Sequence, residues 1–200
     1  MPWIEIVEPG EASGPLERLY KGVQSADGHV DNILKIHSLR PRSLRGHLEL
    51  YKAALHSKPN GLSMRERELV GVCVSLLNEC DYCVQHHRAG LARTLGGDLA
   101  LAEELTQASI GAVESEKLTS RERALCNYTS KLTTNPTNMM ASDLEPLRAA
   151  GLDDATILDL NQVVAYFAYA NRTVNGLGVE VAGEPLGLHP DEDEEGFAHK

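Results

Sequence analysis

The stretch from Ser63 to Leu77 limits the folds open to this chain more than any other. Ser63 stands three residues before Glu66, the pattern in which each residue of the pair satisfies the other's backbone N–H at a helix start. The run after this cap, Leu69-Val70-Gly71-Val72-Cys73-Val74-Ser75-Leu76-Leu77, is apolar on all sides. The run alone could be a buried strand, but its cap and its length predict a buried helix. Such a helix needs cover on every side.

The remaining sequence is suited to supply that cover with more helices. Leu16–Val23 predicts a short helix and Val30–Leu39 another, with Val30, Ile33, Leu34, Ile36 and Leu39 at helical spacing. Pro41 suits a first helical turn, and the segment to about His56 carries Leu44, Leu48, Tyr51 and Leu55 on one face. After the apolar helix, Asn78-Glu79 makes a break, and a helix over about Asp81–Thr94 ends at Gly96-Gly97. Further helices are predicted at Leu99–Leu105, Ser120–Leu132, Ser142–Ala149 and Asp154–Asn175, with Gly151 ending the third of these. Before them all, Trp3, Ile4, Ile6 and Val7 form an extended apolar piece that should lie along the surface. Strand patterns are nearly absent, so the expected fold class is all-α.

Leu62–Leu69 and Leu118–Leu125 align at a constant offset of 56 residues. Five of the eight positions are identical, and Thr119 replaces Ser63. Two related helical halves or two similarly capped helices would both give this echo. The second copy has Ala124 where the first has Glu68, and no CxxC comes after it, so chemistry should reside in the first copy. The expected organisation is one domain over 1–200: an N-terminal extension (1–14), a core about 62–95, a second helical half about 118–181 and an acidic tail (189–200).

Composition excludes several function classes. With 42% apolar and 24% charged residues in 200, a real core can form. The net charge of −10 repels a phosphate backbone and argues against nucleic-acid binding. No apolar stretch approaches the ~20 residues that span a bilayer, and Met1–Val7 lacks a basic leader region, so neither membrane association nor secretion is expected. Four cysteines then suit a reducing, cytoplasmic compartment, where a close pair is redox-active or metal-binding more often than structural. The run Asp191–Glu195 reads as a solvated tail.

The chemistry concentrates in Glu68 and Cys80-Asp81-Tyr82-Cys83-Val84-Gln85-His86-His87. If a helix begins just after Cys80, then Cys80, Cys83 and His87 share one stripe, and His87 lies one turn beyond Cys83. Cys80 at the helix N-terminus meets free N–H groups that stabilise a thiolate. If the preceding helix packs alongside, Glu68 could meet His87, and a carboxylate holding an imidazole that holds a thiol activates a nucleophile. Haem attachment is excluded, because Val84 comes directly after Cys83. Zinc held by Cys80, Cys83, Glu68 and His86 or His87, or a structural cysteine pair, stays open at this point. Cys73 and Cys126 read as core residues, and Arg65, Glu66 and Arg67 as surface helix charges. His29, His37, His47 and His56 read as surface or capping residues, with His37 or His47 the two that could approach the site.

These residues resemble the alkylhydroperoxidase D-like (AhpD-like) family of the carboxymuconolactone decarboxylase superfamily. Its core pattern, a Glu, eleven residues, CxxC and xxxH, corresponds to Glu68, Cys80, Cys83 and His87. The flanks His37-Ser38-Leu39-Arg40-Pro41, Leu62-Ser63, Asn171-Arg172 and Leu177-Gly178-Val179 resemble the longer peroxidase-related branch, so the likeness spans about Val30–Val181. The resemblance implies an AhpD-like helical bundle, homo-oligomers built on dimers, and thiol peroxidase chemistry without metal or cofactor. It implies that Cys83 attacks the peroxide, that His87 held by Glu68 takes its proton, and that Cys80 is the more exposed resolving thiol open to a dithiol reductant. The best-known members carry a His between the cysteines; here Tyr82 stands there, with a reference pKa of ~10 that makes it a poor base. His86, three residues beyond Cys83, is the alternative relay. Superfamily decarboxylases lack the CxxC, so lactone decarboxylation is not implied.

The leading expectation is therefore an antioxidant peroxidase acting through a CxxC dithiol. The competing expectations are a zinc-stabilised or structural oligomeric protein and a non-catalytic binder of small molecules.

Overall fold

The computed structural model describes residues 2–56, 58–112 and 115–188. They form an all-α fold of α1 (Gly14–Val23), α2 (Asn32–Lys35), α3 (Pro41–Leu55), α4 (Met64–Leu77), α5 (Asp81–Thr94), α6 (Leu99–Ile110), α7 (Ser120–Thr134), α8 (Glu145–Ala149) and α9 (Asp154–Leu177). No strand occurs among the described residues. The acidic run at 191–195 lies outside them.

The apolar run is the central helix, α4. Residues Arg67–Ser75 are all buried. Val residues cost less than ~0.7 kcal/mol each in helix propensity, whereas burying each Val or Leu contributes about 1.5–3 kcal/mol. Packing therefore decides for helix. One side of α4 presents Val70 and Val74 to Tyr51 and Leu55 of α3, Leu125 of α7 and Leu160, Val164 and Phe167 of α9. The other side presents Leu69, Val72 and Cys73 to Leu91 of α5, Ala102 and Leu105 of α6 and Cys126 of α7. Gly71 lets α9 come close, since a Cβ there would fall 2.4 Å from the Phe167 ring.

The two echoed helix starts meet. Ser63 Oγ accepts the Glu66 N–H at 3.2 Å, and Thr119 Oγ1 accepts the Glu122 N–H at 3.1 Å. Across the pair, Arg65 Nε donates to Glu122 at 2.8 Å and Arg121 Nε to Glu66 at 2.6 Å. This reciprocity relates the two first turns by a local two-fold. Partly exposed ion pairs contribute about 0–1 kcal/mol each, so these bridges fix register more than stability. They also correct the reading of 65–67 as idle surface charge. Arg67 is buried as well, its guanidinium donating to the Leu55 carbonyl.

Other elements differ from the sequence reading in extent. Val30–Leu39 contracts to the single turn of α2, because the backbone there is tied from outside: Asn32 N–H donates to Glu184 at 2.7 Å and Ile33 N–H to the Tyr82 hydroxyl at 3.2 Å. α6 runs past Leu105 to Ile110, with Ser109 and Thr106 satisfying their hydroxyls on its own carbonyls. Ser142–Ala149 is a 3-10 turn (Ala141–Leu144) leading into α8, because Pro146 suits a first turn. Near the N-terminus, Trp3 N–H donates to the Leu177 carbonyl at 2.9 Å and Val7 N–H to Ser38 at 2.9 Å, holding the extended piece along the body.

Candidate active site

The turn between α4 and α5 sets the position of the thiols. Glu79 adopts φ 52°, a left-handed conformation costing an ordinary residue roughly 1–2 kcal/mol, and Cys80 N–H returns to the Ser75 carbonyl at 2.9 Å. Cys80 is then the N-cap of α5, with Cys83 one turn in. The Cys83 thiol foremost, then the Cys83 backbone N–H and the Asn171 side chain, hydrogen-bond to Cys80 and hold its pKa below the ordinary thiol value, against the opposing effect of burial. Cys83 is pushed the other way, by its hydrogen bond to Cys80, by burial and by the Cys80 charge. Asn171 of α9 is itself held in place, because its Nδ2 donates to Ser75 Oγ at 3.2 Å and its Oδ1 accepts from Asn78 at 3.0 Å.

The two thiols differ in access. Cys83, not Cys80, lines a partly open cavity of about 40 Å³ between α2, α3, α4, α5, α9 and the segment ending at Leu188. Cys80 is 0% exposed against 2% for Cys83. This corrects the expectation that Cys80 is the more exposed thiol: its role as N-cap turns it inward beneath Asn171.

Glu68 and His87 share the cavity wall. Glu68 Oε2 lies 2.8 Å from His87 Nδ1. The Glu68 side chain is 3% exposed and that of His87 17%. His87 is also set by Phe167, whose ring meets it edge-on with centroids 4.5 Å apart. Gly90, one turn along α5, leaves room for the carboxylate: a Cβ there would sit 2.6 Å from Glu68 Oε1.

The two alternative relay residues are turned elsewhere. Tyr82 is buried, its pKa raised well above 10 mainly by desolvation and then by nearby Glu184, and its hydroxyl accepts the Ile33 N–H. His86 stacks on Tyr82, with centroids 4.5 Å apart, and directs Nε2 to Glu184 Oε1 at 3.1 Å. Both line the cavity beside Cys83.

His37, His47 and His56 are buried, against the surface or capping role expected of them. Of His37 and His47, the two that could approach the site, His47 lines the cavity. His47 and Tyr51 lie on the inner face of α3, with Tyr166 of α9 opposite; the Tyr166 hydroxyl and His47 Nε2 are 3.5 Å apart. Burial drives the pKa of Tyr51 and Tyr166 well above 10, so both remain neutral hydroxyls. Leu44, Leu48, Tyr51 and Leu55 mark the inner face of α3 in the sequence, and His47 falls beside that stripe; Asn171 was marked only by the Asn171-Arg172 resemblance, and Asp31 and Glu184 had no comparable signal.

A sequence model of the carboxymuconolactone decarboxylase family matches residues 41–110, which contain Glu68, both thiols and His87. The fold is shared with the AhpD core of a peroxidase-related protein from Ralstonia eutropha, at 25% identity over 91% of this chain and 93% of that one, with a TM-score of 0.78. Over residues 41–110 the chain matches the carboxymuconolactone decarboxylase family, and its fold is AhpD-like. A peroxidase-related protein from Silicibacter sp. is similar to this AhpD-like chain at 27% identity, over 86% of this chain and 88% of that one, with a TM-score of 0.73. The debrominase Bmp8 shares the AhpD-like fold alone, at 16% identity over 89% of this chain and 91% of that one, with a TM-score of 0.71. A comparison with curated proteins finds no significant match. No helix among the described residues is long and apolar enough to cross a membrane.

Proposed function

We propose that this protein is a thiol-dependent peroxidase that reduces a small peroxide through a Cys80–Cys83 dithiol/disulfide cycle. The observation that carries the reading is the convergence of Cys83 and the Glu68–His87 pair on one small cavity, with Cys80 hydrogen-bonded behind. Zinc bound by the same thiols is the weaker reading, because among the described residues the thiols, Glu68 and the two histidines do not bring three ligand atoms within 4.8 Å of one another.

The cycle begins with a proton transfer: His87, its Nδ1 side fixed by Glu68, accepts the Cys83 thiol proton. The Cys83 thiolate attacks one peroxide oxygen; the S–O bond forms, the O–O bond breaks, and the leaving oxygen departs as alcohol or water with the proton from His87. Cys80 then attacks the Cys83 sulfenic acid; the disulfide forms and hydroxide leaves as water with the second thiol proton. An external dithiol restores both thiols. A cytoplasmic setting, a dithiol reductant and a homo-oligomer belong to the same proposal.

The test is steady-state consumption of hydrogen peroxide with dithiothreitol as donor. Wild type should turn over and Cys83→Ser should fall to the uncatalysed rate. Equal rates in the two proteins would overturn the reading.

A further inference from the structure

Beside the thiol cavity lies a second cluster of chemistry-bearing groups that the dithiol cycle does not use. His29 Nε2 lies 3.3 Å from Asp31 Oδ1 and 3.4 Å from Glu184 Oε2. One donor atom from each of these three residues lies within 4.8 Å of the others. The Asp31 and Glu184 side chains are 6% and 2% exposed. His29 Nε2 is itself buried and makes no hydrogen bond, although it faces both carboxylates. The second oxygen of Glu184 is held by His86 Nε2 at 3.1 Å.

We propose that His29, Asp31 and Glu184 bind a divalent transition-metal cation, with His86 orienting Glu184 from behind. One oxygen of each carboxylate and an imidazole nitrogen that makes no hydrogen bond lie within 4.8 Å of one another, three ligand atoms of the right kind. Ligands 2.0–2.1 Å from a tetrahedral ion stand about 3.3 Å apart, so the His29–Asp31 and His29–Glu184 separations already have the length of such an edge. Three protein ligands leave a position for water. The oxygen-rich set suits manganese, and the imidazole extends the range to zinc. The His86–Glu184 contact is the outer-shell hydrogen bond that metal carboxylates characteristically carry.

Such an ion would clasp three parts of the chain. His29 and Asp31 precede α2, His86 lies on α5 beside Cys83, and Glu184 belongs to the segment whose Gly187 and Leu188 line the thiol cavity. Arg93 of α5 donates to the Gly187 carbonyl and ties the same segment down.

The test is titration of Mn²⁺ into the chelator-treated full chain, monitored by the electron paramagnetic resonance of the free ion. Manganese has little affinity for thiols, so Cys80 and Cys83 do not interfere. Wild type should bind one equivalent, and Glu184→Gln and His29→Ala should each weaken binding at least tenfold. His86→Ala should weaken it by roughly 10- to 100-fold. His29→Ala alters a partly exposed side chain and keeps the test available if Glu184→Gln does not fold. No binding up to millimolar Mn²⁺, or binding that both ligand variants leave unchanged, would overturn the proposal. In that case the cluster is a proton-bridged ion pair only.

Discussion

Glu68 Oε2 and His87 Nδ1 are 2.8 Å apart, although nineteen residues and a reversal of the chain separate them. The contact exists because α4 and α5 pack along their length and because Gly90 has no side chain to displace the carboxylate. A buried carboxylate fixes the orientation of the imidazole, which is what a thiol at the next turn needs.

Glu68→Gln keeps the volume and removes the charge. The fold should be retained, and alkylation of Cys83 should slow at neutral pH, with the rate–pH profile displaced to higher pH. An unchanged profile would separate Glu68 from the thiol.

Gly90→Ala inserts a methyl group against the Glu68 carboxylate. The gain in helix propensity is about 0.5–1 kcal/mol, while overpacking costs about 1–3 kcal/mol, so a net loss of up to ~2 kcal/mol is expected. Peroxide turnover should fall further than stability, because the displaced group is the one that holds His87. Thermal melting and rate measurements together check this; a stabilised, fully active variant would contradict it.

The thiol pair should titrate asymmetrically. Cys80 is lowered, so the first proton leaves below the ordinary thiol pKa of ~8.5; Cys83 is raised by its neighbour, so the second leaves well above it. Removing Cys80 takes away the hydrogen bond and charge that raise Cys83. In Cys80→Ser the Cys83 pKa should therefore fall from its raised value toward the ordinary one. Thiolate ultraviolet absorbance against pH tracks both steps, and two superimposable titrations would refute the asymmetry.

The legible parts of the molecule are those encoded within one or two helical turns. The Ser63–Glu66 cap, the run after it and the spacing of Glu68, Cys80, Cys83 and His87 all carry local signals, and they predict α4, α5 and the Glu68–His87 contact. The cavity's far wall was only partly legible: His47 was one of two histidines that could approach the site, and Tyr166 reaches it from a helix distant in sequence. A lone histidine on an otherwise apolar face gives no sign of whether it is buried, which is why His47 and His56 read as surface groups. The pairing of Asp31 with Glu184 spans most of the chain and has no local pattern.

A homo-oligomer is the expectation that the AhpD-like resemblance carries. Sedimentation at micromolar concentration should give a species of at least twice 21.8 kDa. A clean species of 21.8 kDa would refute it.

The most direct measurement is the stoichiometry of one turnover. Fully reduced protein is mixed with a single equivalent of hydrogen peroxide, and the thiols are then alkylated and mapped by mass spectrometry. Two thiols should be lost per peroxide consumed and found as a Cys80–Cys83 disulfide, with Cys73 and Cys126 still alkylatable once the chain is unfolded. Peroxide left unconsumed, or consumed with Cys80 and Cys83 both still free, would contradict the dithiol cycle.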